Sequence, residues 1–104
     1  MKYLSATAVN ELLKSSGAKL IDIREPYECQ VCAIGGIQIP MADVLSRLQE
    51  FSKDEALIIM CRSGKRAEAL ANLLESEHGF ENIMVLEGGL DAWIEQVDPS
   101  LEAL

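Results

Sequence analysis

Two short runs rich in apolar side chains, at residues 56–60 and 82–86, constrain the fold of this chain most. The first is apolar throughout and the second is apolar after Asn82. Runs of this length and composition are typical of strands that are covered on both faces, as in parallel sheets. Residues 19–23 predict a third strand, apolar after Lys19 except for Asp22. Shorter strands are predicted at residues 3–4 and 38–40.

Amphipathic segments separate these strands. Apolar side chains recur at three- and four-residue spacing in residues 6–15 and 41–51, which predicts helices. Ser5 is a suitable N-cap for the first of them. Further helices are predicted from the end of the 61–66 segment to His78 and over residues 90–97. Pro26 predicts a single helical turn, and residues 29–37 are expected to form a loop.

Alternation of strands and helices indicates an α/β fold. We expect one domain over residues 1–104, with a central, mostly parallel sheet of about five short strands and helices on both faces. No apolar run approaches the roughly 18 residues that cross a membrane, so no membrane association is expected. A net charge of −8 disfavours nucleic acid as a partner.

Three cysteines, with no apolar stretch of signal-peptide length at the start, indicate reduced thiols. The sequence therefore predicts a cytoplasmic location, with an upstream targeting segment left open. Metal binding and a cofactor are not expected. The Cys29–Cys32 spacing would suit zinc only with about two further ligands, and Cys61 and His78 are not expected beside it.

The segment CRSGKR, residues 61–66, follows the apolar run at 56–60 and precedes a helix. Cys61 is the candidate nucleophile, since it is expected where a buried strand ends and a helix begins. Backbone N–H groups at a helix start carry partial positive charge, which favours a thiolate and binds anions. The expected anion-binding residues are Arg62, Ser63, Gly64, Lys65 and Arg66. No Lys or Arg follows Arg66, so this basic segment is a local positive island on an acidic chain.

A competing interpretation makes Cys61 a small, inert core residue. His78 is the one histidine and stands at the far end of the following helix, about 15–20 Å away at 1.5 Å per residue. A Cys–His dyad is therefore not expected. Such a site would depend on electrostatics, which suits attack on a reactive sulfur or an anionic ester.

Two further segments are expected beside Cys61, because ligands bind beyond the carboxyl ends of parallel strands. These are residues 22–25 and 87–89. A buried Asp22 needs a partner, and Arg24 is the candidate. Arg24 could instead face the substrate. Residues 87–89 predict a turn that brings backbone close to the site, followed by Trp93 in the core.

Four motifs resemble the rhodanese-like domain family in the family's order. They are LIDIREPYE at residues 20–28, IQIPM at 37–41, CRSGKR at 61–66 and LEGGLDAW at 86–93. The resemblance implies a single-domain sulfurtransferase in which Cys61 accepts a sulfane sulfur as a persulfide. It also implies that the amides of residues 62–66 hold that sulfur, and that the Asp22–Arg24 pair braces the active-site loop.

The implied donor is a small sulfur-containing anion or a persulfide. The implied acceptor is cyanide in assays, and a thiol or a sulfur-carrier protein in cells. One departure concerns the segment before Pro40, where Cys32-Ala33-Ile34 stand in place of the family's Gly-His-Ile and about one residue is missing.

Three alternatives remain open. Phosphatase or arsenate reductase sites need Cys-x5-Arg, and Ala67 occupies that arginine's position here. A redox thiol protein would use Cys29 or Cys32, for example to resolve a Cys61 persulfide as a disulfide, although both can equally be ordinary thiols. A non-catalytic rhodanese-like binding module would typically lack the cysteine at position 61.

Overall fold

The computed structural model describes residues 1–15 and 17–103. In that part of the chain strands alternate with helices. The strands are β1 (Lys2–Leu4), β2 (Lys19–Asp22), β3 (Ile37–Gln38), β4 (Leu57–Met60) and β5 (Ile83–Leu86). The helices are α1 (Ala6–Ser15), α2 (Pro26–Val31), α3 (Met41–Val44), α4 (Lys65–His78) and α5 (Gly89–Gln96), and a 3₁₀ helix over Leu45–Glu50 follows α3.

The five strands form one sheet in the order β1-β5-β4-β2-β3, and all neighbouring strands are parallel. Every residue of β4 and β5 is buried, as the two apolar runs predict. The predicted α/β fold class is therefore confirmed. Because the strands are parallel, their carboxyl ends meet along one edge of the sheet, where ligands bind in folds of this kind.

Side chains of successive strand residues enter two separate cores. Ile59 of β4 belongs to a cluster that also contains Leu70 of α4, and Ile58 belongs to a second cluster that contains Val9 of α1 and Trp93 of α5. This division follows from the two-residue period of a strand. Helices thus cover both faces of the sheet, and Trp93 is a core residue as expected. Within the described residues, no helix is long and apolar enough to cross a membrane.

Two predicted segments differ from the structure. The expected loop at residues 29–37 is wrong for its first three residues, which belong to α2, and for Ile37, which belongs to β3. Glu25 and Glu28 form a reciprocal capping box, and Pro26 occupies the helix start, so this helix is longer than the predicted single turn.

The segment 41–51 is only partly α-helical, because α3 ends at Val44 and a 3₁₀ helix continues it. Residues three apart align along a 3₁₀ helix. This alignment suits the two hydrogen bonds that Arg47 donates to Glu50, at 2.7 and 2.9 Å. The apolar pattern still identifies the buried side of the segment, since Val44 and Phe51 are buried.

The charged pair Asp22–Arg24 lies at the end of β2 and is the most deeply buried ionic contact among the described residues. Their side chains are 0% and 1% exposed. Arg24 Nε and Nη2 donate to the two carboxylate oxygens at 2.9 and 2.7 Å, and Nη2 also donates to the Cys32 carbonyl at 2.8 Å. Burial opposes the charged guanidinium, but hydrogen bonding and attraction to Asp22 outweigh it and raise the pKa of Arg24.

Replacing Arg24 by methionine should destabilise the protein by about 3–5 kcal/mol, because a buried carboxylate would lose its partner. The matched control is Arg47→Met, which breaks an exposed pair with Glu50 and should cost less than about 1 kcal/mol. Urea unfolding at pH 7 measures both. The double variant Asp22→Leu/Arg24→Met should lose less than Arg24→Met alone, since no unpaired charge remains. Equal costs for Arg24→Met and Arg47→Met would contradict this account.

Candidate active site

Cys61 follows the last residue of β4, at the carboxyl edge of the sheet. Its neighbours along this edge are the ends of β2 and β5, because these strands flank β4. The structure therefore brings together the three segments that sequence analysis placed here, residues 22–25, 61–66 and 87–89. Cys61 itself is fully buried, and its side chain belongs to the core cluster on the α4 face.

Two backbone amides point at the Cys61 sulfur. The N–H of Gly64 donates to Sγ at 3.1 Å, and the N–H of Ala67 donates to it at 3.4 Å. Both belong to the start of α4, where free amides and the helix dipole favour negative charge. The sequence predicted donors from residues 62–66 and missed Ala67. Including every amide of the first turn of α4 would have predicted Ala67 as a donor as well.

The loop keeps this shape because its carbonyl groups are held from the opposite side. The N–H of Leu90 donates to the Cys61 carbonyl at 2.9 Å, and the N–H of Asp91 donates to the Arg62 carbonyl at 3.1 Å. Both donors belong to the first turn of α5, whose amides have no partner within their own helix. The start of α5 therefore binds the carbonyl oxygens of the loop, and the start of α4 directs its amides at the Cys61 sulfur.

This contact requires glycine at position 89. A Cβ atom there would lie 2.3 Å from the Cys61 carbonyl oxygen and 2.6 Å from that of Arg62, and the residue has φ +59°. The expected close backbone approach at residues 87–89 is thus present. Gly64, with φ +101°, turns the loop into α4 and faces the amide nitrogen of Gly88.

Two of the three basic side chains in the loop pair with acids. Arg62 Nε donates to Asp91 Oδ1 at 2.5 Å. Arg66 donates two hydrogen bonds to Glu28, at 2.9 and 3.1 Å. The Arg66 hydrogen bonds, opposed by burial, lower the pKa of Glu28, and the same hydrogen bonds raise the pKa of Arg66. These guanidinium groups tie the loop to α5 and α2.

Lys65 and Ser63 are exposed. With Gly64 they line a small cleft of about 190 Å³, whose other walls include Tyr3, Glu68 and Glu87. A hydrogen bond to the Glu68 carboxylate is the main cause that raises the pKa of Tyr3.

The Asp22–Arg24 pair stabilises the Cys61 loop only indirectly. Arg24 is 2% exposed and its guanidinium holds Asp22 and the Cys32 carbonyl, so it does not face an external substrate. Its contacts fix the end of α2, and α2 carries the Glu28 that holds Arg66. The pair therefore supports α2 directly, and the Cys61 loop through α2.

The other two cysteines are free thiols. Cys32 is buried in the core cluster on the opposite face of the sheet from Cys61. Cys29 Sγ lies 3.6 Å from Asp22 Oδ2, and burial, followed by the negative charge of Asp22, raises the pKa of its thiol. The raised pKa leaves little thiolate on Cys29 at neutral pH. Cys32 is separated from Cys61 by the sheet, so neither cysteine has the surroundings of a resolving thiol.

No Cys–His dyad forms, because His78 is the last residue of α4 and Cys61 precedes that helix. Fourteen helical residues span about 21 Å at 1.5 Å per residue. Among the residues that the structure describes, no group of three or more His, Cys, Asp or Glu side chains is arranged to hold a metal ion.

Alanine at position 89 should destabilise the protein by more than 2 kcal/mol, because its Cβ would collide with two carbonyl groups of the loop. Gly79→Ala is the matched control. It has a similar φ of +71° but no atom within 4 Å of the new Cβ, so it should cost only the backbone strain of about 1–2 kcal/mol. Chemical denaturation compares the two. A Gly89→Ala cost no larger than that of Gly79→Ala would contradict the close contact.

The Arg66–Glu28 pair should give a pH-dependent stability. The pKa of Glu28 is lower in the folded state, so the pair stabilises the protein above the unfolded value of about 4.3 and this contribution is lost as pH falls through the folded value. Arg66→Met should cost about 1 kcal/mol at pH 7, and the difference should shrink below about pH 4.3. In a Glu28→Gln background the Arg66→Met cost should be smaller and independent of pH. Denaturant unfolding between pH 3 and 7 provides the measurement, and an unchanged cost in that background would exclude the pairing.

Most of the sequence is similar to a known protein family. Residues 5–96 match the family model described as "Rhodanese-like domain". A thiosulfate sulfurtransferase GlpE of Pseudoalteromonas translucida is 31% identical over 93 residues, which cover 88% of each chain. An adenylyltransferase and sulfurtransferase MOCS3 of Drosophila virilis is 35% identical over 97 residues, or 86% of this chain, but the chain spans only 22% of that relative's length.

Among solved structures, a rhodanese-like domain protein from Staphylococcus aureus superimposes with a TM-score of 0.82 at 31% identity. The match covers 98% of this chain and 97% of that one. The similarity thus extends over the whole sheet and its helices. Together with the family match over residues 5–96, it establishes that this chain belongs to the rhodanese-like domain family.

Proposed function

We propose that this chain is a sulfurtransferase that carries a sulfane sulfur as a persulfide on Cys61. The observation that carries the proposal is the pair of amides, from Gly64 and Ala67, that donate to the buried sulfur at 3.1 and 3.4 Å. Amides at a helix start stabilise a thiolate without a general base. The same donors would hold the charged outer sulfur of a persulfide.

The reaction proceeds in two half-reactions. With thiosulfate as donor, the Cys61 thiolate attacks the outer sulfur, a new S–S bond forms, and the donor's S–S bond breaks with its electron pair leaving on sulfite. A thiophilic acceptor then attacks the outer sulfur of the persulfide and restores the thiolate. Cyanide is the assay acceptor and yields thiocyanate. A thiol or a sulfur-carrier protein is the proposed acceptor in cells.

Two comparisons support this assignment. The name of the Pseudoalteromonas translucida relative includes thiosulfate sulfurtransferase, and that of the Drosophila virilis relative includes sulfurtransferase. We further propose that the chain acts as a single domain in the cytoplasm, without a metal or cofactor.

Phosphoester chemistry is less well supported. The arginine of a Cys-x5-Arg site would stand after five intervening residues, at position 67, but that residue is Ala67 and its side chain is fully buried in the core. A non-catalytic binding role is also less well supported, because Cys61 is present with two amides directed at its sulfur.

Replacing Cys61 by serine should abolish thiocyanate formation from thiosulfate and cyanide, since a hydroxyl group cannot form the persulfide. Cys29→Ser and Cys32→Ser are the matched controls, because both replace a thiol elsewhere in the chain, and they should retain activity. Mass spectrometry after incubation with thiosulfate should show a gain of one sulfur on Cys61. Activity that survives Cys61→Ser would refute the assignment, and a disulfide that includes Cys61 would favour a redox role.

A further inference from the structure

The Cys61 nucleophile is closed off from solvent, because 0% of this residue is exposed. A reaction with an external sulfur requires direct approach to Sγ, since reacting atoms must come within about 3–3.5 Å of each other. The cleft of about 190 Å³ beside the loop does not give that approach, because Cys61 is not among its lining residues. A group near the loop must therefore move before Cys61 can react.

Helix α2 is the element at this edge that is least held by apolar packing. It follows the end of β2, which is the strand next to β4. It is the one α-helix among the described residues with no buried side chain. Its Tyr27 and Val31 are 62% and 49% exposed. Elements with few buried apolar contacts open at low free-energy cost, so α2 is the candidate for the moving part.

Polar contacts hold α2 in place instead. At its carboxyl end, the Cys32 carbonyl accepts a hydrogen bond from the buried Arg24 at 2.8 Å. Nearer its start, Glu28 accepts two hydrogen bonds from Arg66 of α4, at 2.9 and 3.1 Å. Within residues 1–15 and 17–103, this is the one ion pair between α2 and α4. One end of α2 is thus fixed to the sheet, and the start is fixed to α4 by a pair of side chains.

Arg66 brings this contact next to the reacting sulfur. It directly precedes Ala67, whose amide donates to Cys61 Sγ at 3.4 Å. The pKa of Arg66 is raised first by its hydrogen bonds to Glu28, against the effect of burial, and also by charge on Cys61 and Tyr27. Since such effects fall with distance, its guanidinium lies near both α2 and the sulfur. The Glu28–Arg66 pair therefore joins α2 to α4 beside the nucleophile.

We propose that the Glu28–Arg66 pair is a gate that controls access to the Cys61 sulfur. While the pair is formed, α2 and α4 are held together and the sulfur is covered; when it breaks, the start of α2 moves away and exposes Sγ. The inference rests on the proposed function and deepens it, because it names the regulation of that same site. The two side chains are 14% and 38% exposed, so the pair opens at modest cost.

Alkylation of Cys61 by iodoacetamide, a small uncharged reagent, measures this access without any sulfur transfer. Peptide mass spectrometry follows its rate at neutral pH. Glu28→Gln should raise the rate by about two- to fivefold, the size expected for the loss of a partly exposed ion pair. This variant retains an oxygen for the capping hydrogen bond from the Glu25 amide, so the start of α2 is otherwise preserved. Arg66→Met should also raise the rate, because it breaks the same contact.

The two substitutions change the local charge in opposite directions. Loss of Glu28 removes a negative charge, which favours a thiolate, whereas loss of Arg66 removes a positive charge, which disfavours one. An effect of charge alone would accelerate alkylation in one variant and slow it in the other, but opening of the gate accelerates both. Glu50→Gln is the matched control, because it breaks the Arg47–Glu50 pair on the 3₁₀ helix and should leave the rate unchanged.

Low concentrations of urea separate opening of the gate from unfolding of the whole chain. Opening of α2 exposes little surface, so the accelerated rates should vary little with urea well below the unfolding midpoint. Alkylation through global unfolding would instead rise steeply with urea, because the effect of urea scales with the surface exposed. A steep dependence in Glu28→Gln and Arg66→Met would refute the gate.

The remaining outcomes separate the gate from the proposed function. If the unaltered protein gains no sulfur on Cys61 from thiosulfate, the proposed function fails, and the alkylation rates still test the gate. If it gains sulfur but neither Glu28→Gln nor Arg66→Met accelerates alkylation, only the gate is refuted. Opposite changes in these two variants, or an equal acceleration in Glu50→Gln, would also refute it.

Discussion

Two hydrogen bonds between backbone groups determine the arrangement of the site, those from the Leu90 and Asp91 amides to the carbonyls of Cys61 and Arg62. They direct the oxygens of the loop towards α5, which leaves the Gly64 amide free to face the sulfur. Gly89 permits this approach, because any larger residue would place a Cβ atom against those same carbonyls. The site is thus built from two helix starts that meet at the end of one buried strand, and backbone dipoles supply most of its donors.

The two arginines of the loop hold its position through ion pairs with the neighbouring helices. Asp22 and Arg24 fix the end of α2, Glu28 on α2 holds Arg66, and Asp91 on α5 holds Arg62. This succession of pairs connects a fully buried ion pair to partly exposed ones. Since buried pairs tolerate the loss of one partner poorly and exposed pairs tolerate it well, the cost of substitution should fall from Arg24 towards the loop.

The fold followed closely from the sequence, and the departures have local causes. The two apolar runs identified β4 and β5, and the alternation of elements identified the parallel sheet, because burial on both faces leaves an unmistakable pattern. Helix α2 is longer than the single turn that Pro26 predicts, because Glu25 and Glu28 form a capping box at its start. The 3₁₀ continuation of α3 could not be distinguished from an α-helix, since both place apolar residues at three- to four-residue spacing.

By itself the sequence determined the family, the identity of the candidate nucleophile and the edge of the sheet where it would lie. These follow from strand ends and local motifs, which depend on neighbouring residues along the chain. Only the tertiary structure decided how the basic residues divide between ion pairs and solvent, because Glu28 and Asp91 are distant in sequence from Arg66 and Arg62. It also decided that Cys32 and Cys61 lie on opposite faces of the sheet. Contacts between distant segments depend on packing geometry, and a local pattern carries no information on that geometry.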